Sequence, residues 1–265
     1  MMGGAAGGLQ IELECADLLD ACLNVAGKSA NWELRDLQCH VSSVQLASEM
    51  TSSFADMLIQ GESILIPYQA NSMDVQYLTG GASVNLSIAK QFSRLATVFV
   101  SLEDNAGATA PTALDGPQAL TKSMNNFSLP EASADGELAV ESYIQVNNQR
   151  WPQFSTVGTK HHFMRLLQCL GVWNSISHSV CISAQGYGDG GVGDGTAPSR
   201  QFVAGFDLES VPGAEASGIP VQGGGTVQIS LKNISNATTP ALKAYISTHY
   251  DAVLELKSQG AIVYS

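Results

Sequence analysis

The feature that most constrains this chain is a period of two in its apolar residues. Val84, Leu86 and Ile88 alternate with Asn85, Ser87 and Ala89. Leu138, Val140, Ile144 and Val146 share one face against Glu141, Tyr143 and Gln145, and Val227, Ile229 and Leu231 alternate with Gln228, Ser230 and Lys232. Successive side chains of a strand point to opposite faces, so this spacing gives each segment one apolar face and predicts half-buried strands. Residues 95–102 are apolar on both faces, which predicts a strand covered on both sides. Further strands are predicted near 11–15, 32–41, 64–68, 202–208, 244–248, 252–257 and 261–264. Short strands between Gly-, Ser- and Asn-rich turns predict an all-β antiparallel sandwich or barrel.

Two segments change period. In 47–60, Met50, Phe54, Met57 and Leu58 fall on one helical face and Gly61 is placed to end the helix. In 160–170, Phe163, Leu166, Leu167 and Leu170 form a second stripe that stops at Gly171. Both stripes are read as packing against the sandwich. Three stretches, about 104–137, 185–199 and 212–225, are rich in Gly, Ala, Thr, Asn and Pro and read as long loops, a length that is uncommon unless the loop has a role. With no internal repeat and no linker, the expectation is a flexible Gly-rich start over 1–8 and one domain over 9–265.

Charge narrows the partners. Only 14% of residues are charged while 45% are hydrophobic, so part of the surface is expected to be covered by other protein. The net charge is −12 with no Lys/Arg run, which argues against a nucleic-acid stripe. No stretch reaches the ~18 apolar residues of a membrane span, and the first residues lack the basic and apolar regions of a signal peptide. The cysteines, Cys15, Cys22, Cys39, Cys169 and Cys181, are odd in number and lack Cys-x-x-Cys spacing, so they read as buried free thiols. The sequons at Asn85, Asn126, Asn233 and Asn236 read as coincidences of composition. Trp32, Trp151 and Trp173 are read as core or interface anchors, with the core as the default.

Motifs for chemistry are incomplete. Gly188-x-Gly190-x-x-Gly193 has no helix after it, as a dinucleotide site requires, and Asp189 and Asp194 form a single copy of a calcium-type glycine repeat. Gly27-Lys28-Ser29 ends like a phosphate loop, but Cys22 stands where its first glycine belongs. His161 and His162 are adjacent, whereas metal ligands on one helical face are three or four apart, so they read as a surface pair. There is no Gly-x-Ser-x-Gly elbow. Glu103–Asp104, Glu137–Glu141 and Asp207–Glu209 are carboxylate pairs that a sandwich glycosidase could use, but sugar clefts are usually lined with aromatics, here only 7%. No catalytic residue, cofactor or metal is assigned.

The order of segments in the last third carries a resemblance. Residues 202–219 read FVAGFDLESVPGAEASGI, followed by GGGTVQISLKNI and YISTHYDAVLELKSQGAIVY with Tyr250-Asp251 in its middle. Upstream stand WELRDLQCHVSSVQLASEMTSSFADMLIQGESILIPY and YIQVNNQRWPQF, read as a strand and Pro turn before the second helix. These pieces, over about 32–92 and 143–264, resemble the second jelly roll of the double jelly-roll major capsid proteins of Polinton-like viruses, virophages and larger DNA viruses. The resemblance implies a jelly roll with two short helices in its connections, and a structural capsid subunit of the virion rather than an enzyme. It also implies self-association as a trimeric capsomer, with a missing N-terminal jelly roll and other capsid proteins as further partners. A lectin-like or adhesin-type sandwich module and a sandwich glycosidase using Glu137, Glu141, Asp207 or Glu209 are the alternatives.

Overall fold

A computed structural model of the chain describes residues 11–15, 33–79, 81–104, 139–173, 180, 182, 184, 187, 202–209, 218–221, 225–234, 242–258 and 260–265. In chain order the elements are helix α1 (Ser48–Ile59), strands β1 (Ile64–Leu78), β2 (Ser83–Ile88), β3 (Phe92–Asp104), β4 (Glu141–Val146) and β5 (Gln149–Val157), helix α2 (Thr159–Cys169), and strands β6 (Val203–Asp207), β7 (Ile219–Val221), β8 (Val227–Lys232), β9 (Leu242–Lys257) and β10 (Gly260–Tyr264).

The strands form two antiparallel sheets. One runs β1-β9-β3-β6, with β10 added to β9 and β7 to β3; the other runs β2-β8-β4-β5. The pairs nest from the ends inward: β1 with β9, β2 with β8, β3 with β6 and β4 with β5. A long antiparallel ribbon rolled so that alternate pairs fall in opposite sheets produces this order, which is that of a jelly roll. The sandwich expected from the alternation is the observed architecture.

The core lies between the sheets. Val98, Val100 and Leu102 of β3, Ala204 and Phe206 of β6 and Ala244 and Ile246 of β9 face Val84, Leu86 and Ile88 of β2, Ile144 and Val146 of β4, and Val227, Ile229 and Leu231 of β8. Each is nearly or wholly withdrawn from water. Burying a side chain of this size contributes about 1.5–3 kcal/mol, which is why the alternating pattern determines the layer structure.

Both helices end as the sequence predicts. Gly61 (φ 83°) and Gly171 (φ 67°) occupy left-handed positions after the last turns. Their amides and those of the next residues bond back to Leu58 and Met57 in α1, and to Gln168 and Leu167 in α2, satisfying the terminal carbonyls. The helices differ in burial. In α2, Thr159, His162 and Leu166 are buried and Phe163 packs on the core, so the inward face is turned from the expected stripe and leaves Leu170 exposed. α1 buries no residue: Phe54, Met57 and Leu58 are half-covered and Met50 is exposed. Among the described residues α1 does not pack into the core, because an apolar stripe specifies that a face wants cover, not where the cover comes from.

Other expectations are corrected. Residues 11–15 and 33–41 form no strand and are exposed. The segments expected separately at 244–248 and 252–257 are one strand, β9. The supposed Pro turn is strand: Asn147 and Asn148, both at positive φ, make a two-residue turn and β5 then runs through Pro152. β5 is the outermost strand of its sheet, where a residue without an amide proton is tolerated. Within the expected 212–225 loop lies β7, paired with β3. Trp151 and Trp173 are partly exposed rather than core, as are free Cys15 and Cys39, while Cys169 is half-buried. Trp32, Cys22, Cys181, Glu137, the 1–8 start, the Gly27-Lys28-Ser29 segment and most of the three long loops lie outside the described residues. Among the described residues, no helix is long and apolar enough to cross a membrane.

Candidate interaction surface

The register of the larger sheet fixes what its outer face presents. Met73, Ser247, Phe99 and Gly205 lie in one row across β1, β9, β3 and β6. Val75, Tyr245, Ser101 and Val203 form the next row, with Tyr77 and Lys243 beyond. Met73 and Tyr77 are 62% and 71% exposed, values that leave most of each side chain in water. The Lys243 ammonium sits 4.8 Å from the Tyr245 ring centre and 5.7 Å from that of Tyr77, joining the aromatics into one patch. The exposed part of the patch follows β1, because Tyr245 is buried and Phe99 and Val203 are half-buried.

The opposite end of this face is polar. Asn71, His249, Thr97 and Asp207 form a row, with Gln69 and Asp251 beside it. Together with Cys169, Gly171 and Glu209 several of these residues line a groove of about 260 Å3 under the C-terminus of α2. Asp207 accepts a hydrogen bond from the Glu209 amide (3.0 Å), and His249 meets Phe99 edge-on at 5.5 Å. Burial first, then the charge of Asp207, pushes the Cys169 thiol up to about 12, which keeps it protonated and unreactive near neutral pH. Among the described residues no group of His, Cys, Asp or Glu has the arrangement of a metal site.

The smaller sheet presents a different outer face. Glu141 accepts a hydrogen bond from the Ser155 hydroxyl and lies 3.5 Å from the Lys232 ammonium and 3.6 Å from the Arg150 guanidinium. Arg150 also bonds Ser155 and stacks on the Tyr143 ring at 3.8 Å. The Ser155 bond, aided by the two cations, holds the Glu141 carboxyl below the usual carboxylate range. A glycosidase acid must keep its proton, so this carboxyl is set for the opposite state. Asp207 and Glu141 also belong to different sheets, each on the face turned away from the core, with the sandwich between them. Glu141 and Asp207 thus do not converge, whereas Asp207 and Glu209 of the sequence-named pair line one groove; Glu103 and Asp104 end β3, and Glu137 lies outside the described residues.

The histidine pair is also corrected. His162 is buried, and its Nε2 lies 2.7 Å from the Ser142 hydroxyl on β4. Its Nδ1 lies 2.8 Å from the Gly158 carbonyl, which can only accept, so Nδ1 carries the proton and Ser142 donates to Nε2. Ser142 is 1% exposed, so this Ser–His pair has no access for a substrate. The Val157 amide donates to Nδ1 of half-buried His161 (3.5 Å).

A further exposed apolar region escaped sequence reasoning. β3 pairs with β9 only as far as Asp251, and β10 takes its place beside 253–257. Ile64, Ile66, Leu254 and Leu256 of this extension are half-buried and Val263 is mostly exposed, although they continue the face whose core ends at Ala252. The apolar residues of these strands were visible in sequence, but the pairing of β1 with β9 and the point where the opposite layer stops were not.

No family model and no curated protein matches the chain. Among solved structures it is similar to PBCV-1 VP54 as fitted into a reconstruction of the virophage Sputnik, with 12% identity over 83% of this chain and 55% of that chain and a TM-score of 0.42. It is also similar to a chain of the Sputnik virophage structure (14% identity, 76% of this chain, 39% of that chain, TM-score 0.41). A third is the mavirus major capsid protein (12%, 76%, 41%, TM-score 0.36). The chain spans about half, or less, of the length of these proteins.

Proposed function

We propose that this chain is a structural subunit of a viral shell, folded as one jelly-roll domain over residues 9–265, that associates with copies of itself as a trimer in the virion. The observation that carries the reading is the long apolar edge of the larger sheet, which exposes Met73, Val75 and Tyr77 along a strand of fifteen residues; the smaller sheet exposes Trp151, Phe154 and Val157 on its shorter edge strand β5, beside its ion cluster. A long edge strand with exposed apolar side chains invites pairing or aggregation unless a partner covers it. The segment resemblance to capsid jelly rolls supports a sister copy, or a second roll, as that cover. Obligate assemblies bury on the order of 2,000 Å2 or more. The fold alone hosts lectins and other binding modules as well, so the assignment rests on the surface.

Native mass spectrometry and light scattering test the reading. A species of three times 27.8 kDa is expected at micromolar concentration, and electron microscopy of concentrated protein should show capsomers or shells. Replacing Met73 and Tyr77 together by glutamate should yield a folded monomer by circular dichroism. A wild-type chain that stays monomeric and freely soluble would overturn the proposal.

A further inference from the structure

α2 lies over the side of the sandwich between β5 and β6, and its hold is polar at one end and apolar at the other. At the N-terminal end the Gly158 amide donates to the Val140 carbonyl (2.8 Å) and His162 bonds Ser142, both anchors lying on or beside β4. At the C-terminal end Leu166 and Cys169 pack on Gly205 of β6 so closely that a β-carbon there would stand 3.0 Å from the Cys169 sulfur. His162 is the one ionisable side chain among the three that α2 buries.

From this arrangement we infer that His162 is an acid-sensitive latch: protonating its ring releases α2 from the side of the sandwich while the two sheets stay folded. The inference does not depend on the shell assignment.

The groups facing the imidazole decide the effect. β4 presents the Ser142 hydroxyl, with Thr156 of β5 opposite it in the ladder. Phe202, just before β6, stands 5.5 Å away ring to ring, and Tyr187 is stacked beyond it with its phenol donating to the Val203 carbonyl. Burial pushes the Tyr187 phenol and the Cys169 thiol up, so both stay neutral. The helix itself contributes the Gly158 carbonyl and His161, a second potential cation that has Arg165 near it. Glu141, the neighbour of Ser142, points to the opposite face of β4. An imidazolium formed here meets no anion among these groups. It also sits in the first turns of α2, at the positive end of the helix dipole. Burial is the main cause that lowers its pKa from 6.5 to about 4. A released helix would let the ring hydrate and take its proton at the ordinary value, so acid favours the released form.

Hydrogen–deuterium exchange at pH 7.0 and 4.5, corrected for intrinsic rates, tests this on the wild-type chain. Between these pH values the opening of α2 should become about fifty-fold more favourable, read as lost protection at 163–170, while 98–102 and 244–252 keep theirs. In His162→Gln the acid-induced loss of α2 protection should be far smaller than in wild type, with only half-buried His161 left to contribute. Unchanged wild-type protection at pH 4.5, equal loss in the variant, or simultaneous loss in the β-core would each overturn the latch. Should the variant fail to fold, NMR titration of the wild-type His162 ring decides. Its protonation must coincide with the loss of α2 protection, and a ring that titrates while α2 stays protected rules the latch out.

Discussion

Gly218 stands against the main chain of Leu95, so near that a β-carbon built on it would fall 2.6 Å from the Leu95 carbonyl oxygen. That distance is closer than real side chains approach backbone, and Gly218 immediately precedes β7, which pairs with β3 at Leu95 and Phe92. Gly218→Ala must therefore push β7 away from β3. The expected cost is about 1–3 kcal/mol, the range found for overpacked sites, measured as a lower midpoint in urea.

Ile229 sits between Leu86 on β2 and Ile144 on β4, each of the three at most 1% exposed. Truncation leaves a void that neighbours on two strands cannot both close. Ile229→Ala should cost about 2–5 kcal/mol in denaturant unfolding, whereas Ile229→Val should cost no more than about 1.5 kcal/mol.

Asn147 and Asn148 adopt φ of 49° and 69° in the turn between β4 and β5, as a two-residue hairpin of the twisted type requires. Asn tolerates that conformation and a β-branched residue does not. Asn148→Val should lower stability by about 1–2 kcal/mol and Asn148→Gly by much less, compared by thermal melting.

Glu141 has its carboxyl held below the usual range, so its contribution is present above the unfolded value of 4.5 and lost as the pH falls through the lower folded value. The group is partly exposed, which limits the contribution to less than about 1 kcal/mol. Glu141→Gln should flatten the acid limb of the stability curve below pH 4.5 and leave the limb between pH 6.5 and 4.5 as in wild type, the range in which His162 acts. Urea midpoints from pH 3 to 8 in both proteins check this.

The strands that were legible are those whose two faces meet different surroundings. β2 alternates exposed and buried and β4 half-buried and buried along their length, and β8 follows its apolar–polar alternation except at buried Ser230. β5 was not legible, since Phe154 and Val157 are exposed and Pro152 interrupts the pattern. The candidate surface was legible only as a shortage of charge. Exposed Met73, half-buried Phe99 and buried Tyr245 come from three strands and meet only through register.

The alternation of apolar residues determined by itself that this chain forms two-layered antiparallel sheet, and the glycines at 61 and 171 determined where its helices stop, because both effects act within a few residues. The nesting of β1 with β9 and β2 with β8, the burial of α2 but not α1, and the placement of His162 against Ser142 were decided by the tertiary structure. A polar side chain is buried only where a distant segment supplies its partner, and an apolar stripe only where another layer lies opposite; neither condition is written in the local sequence.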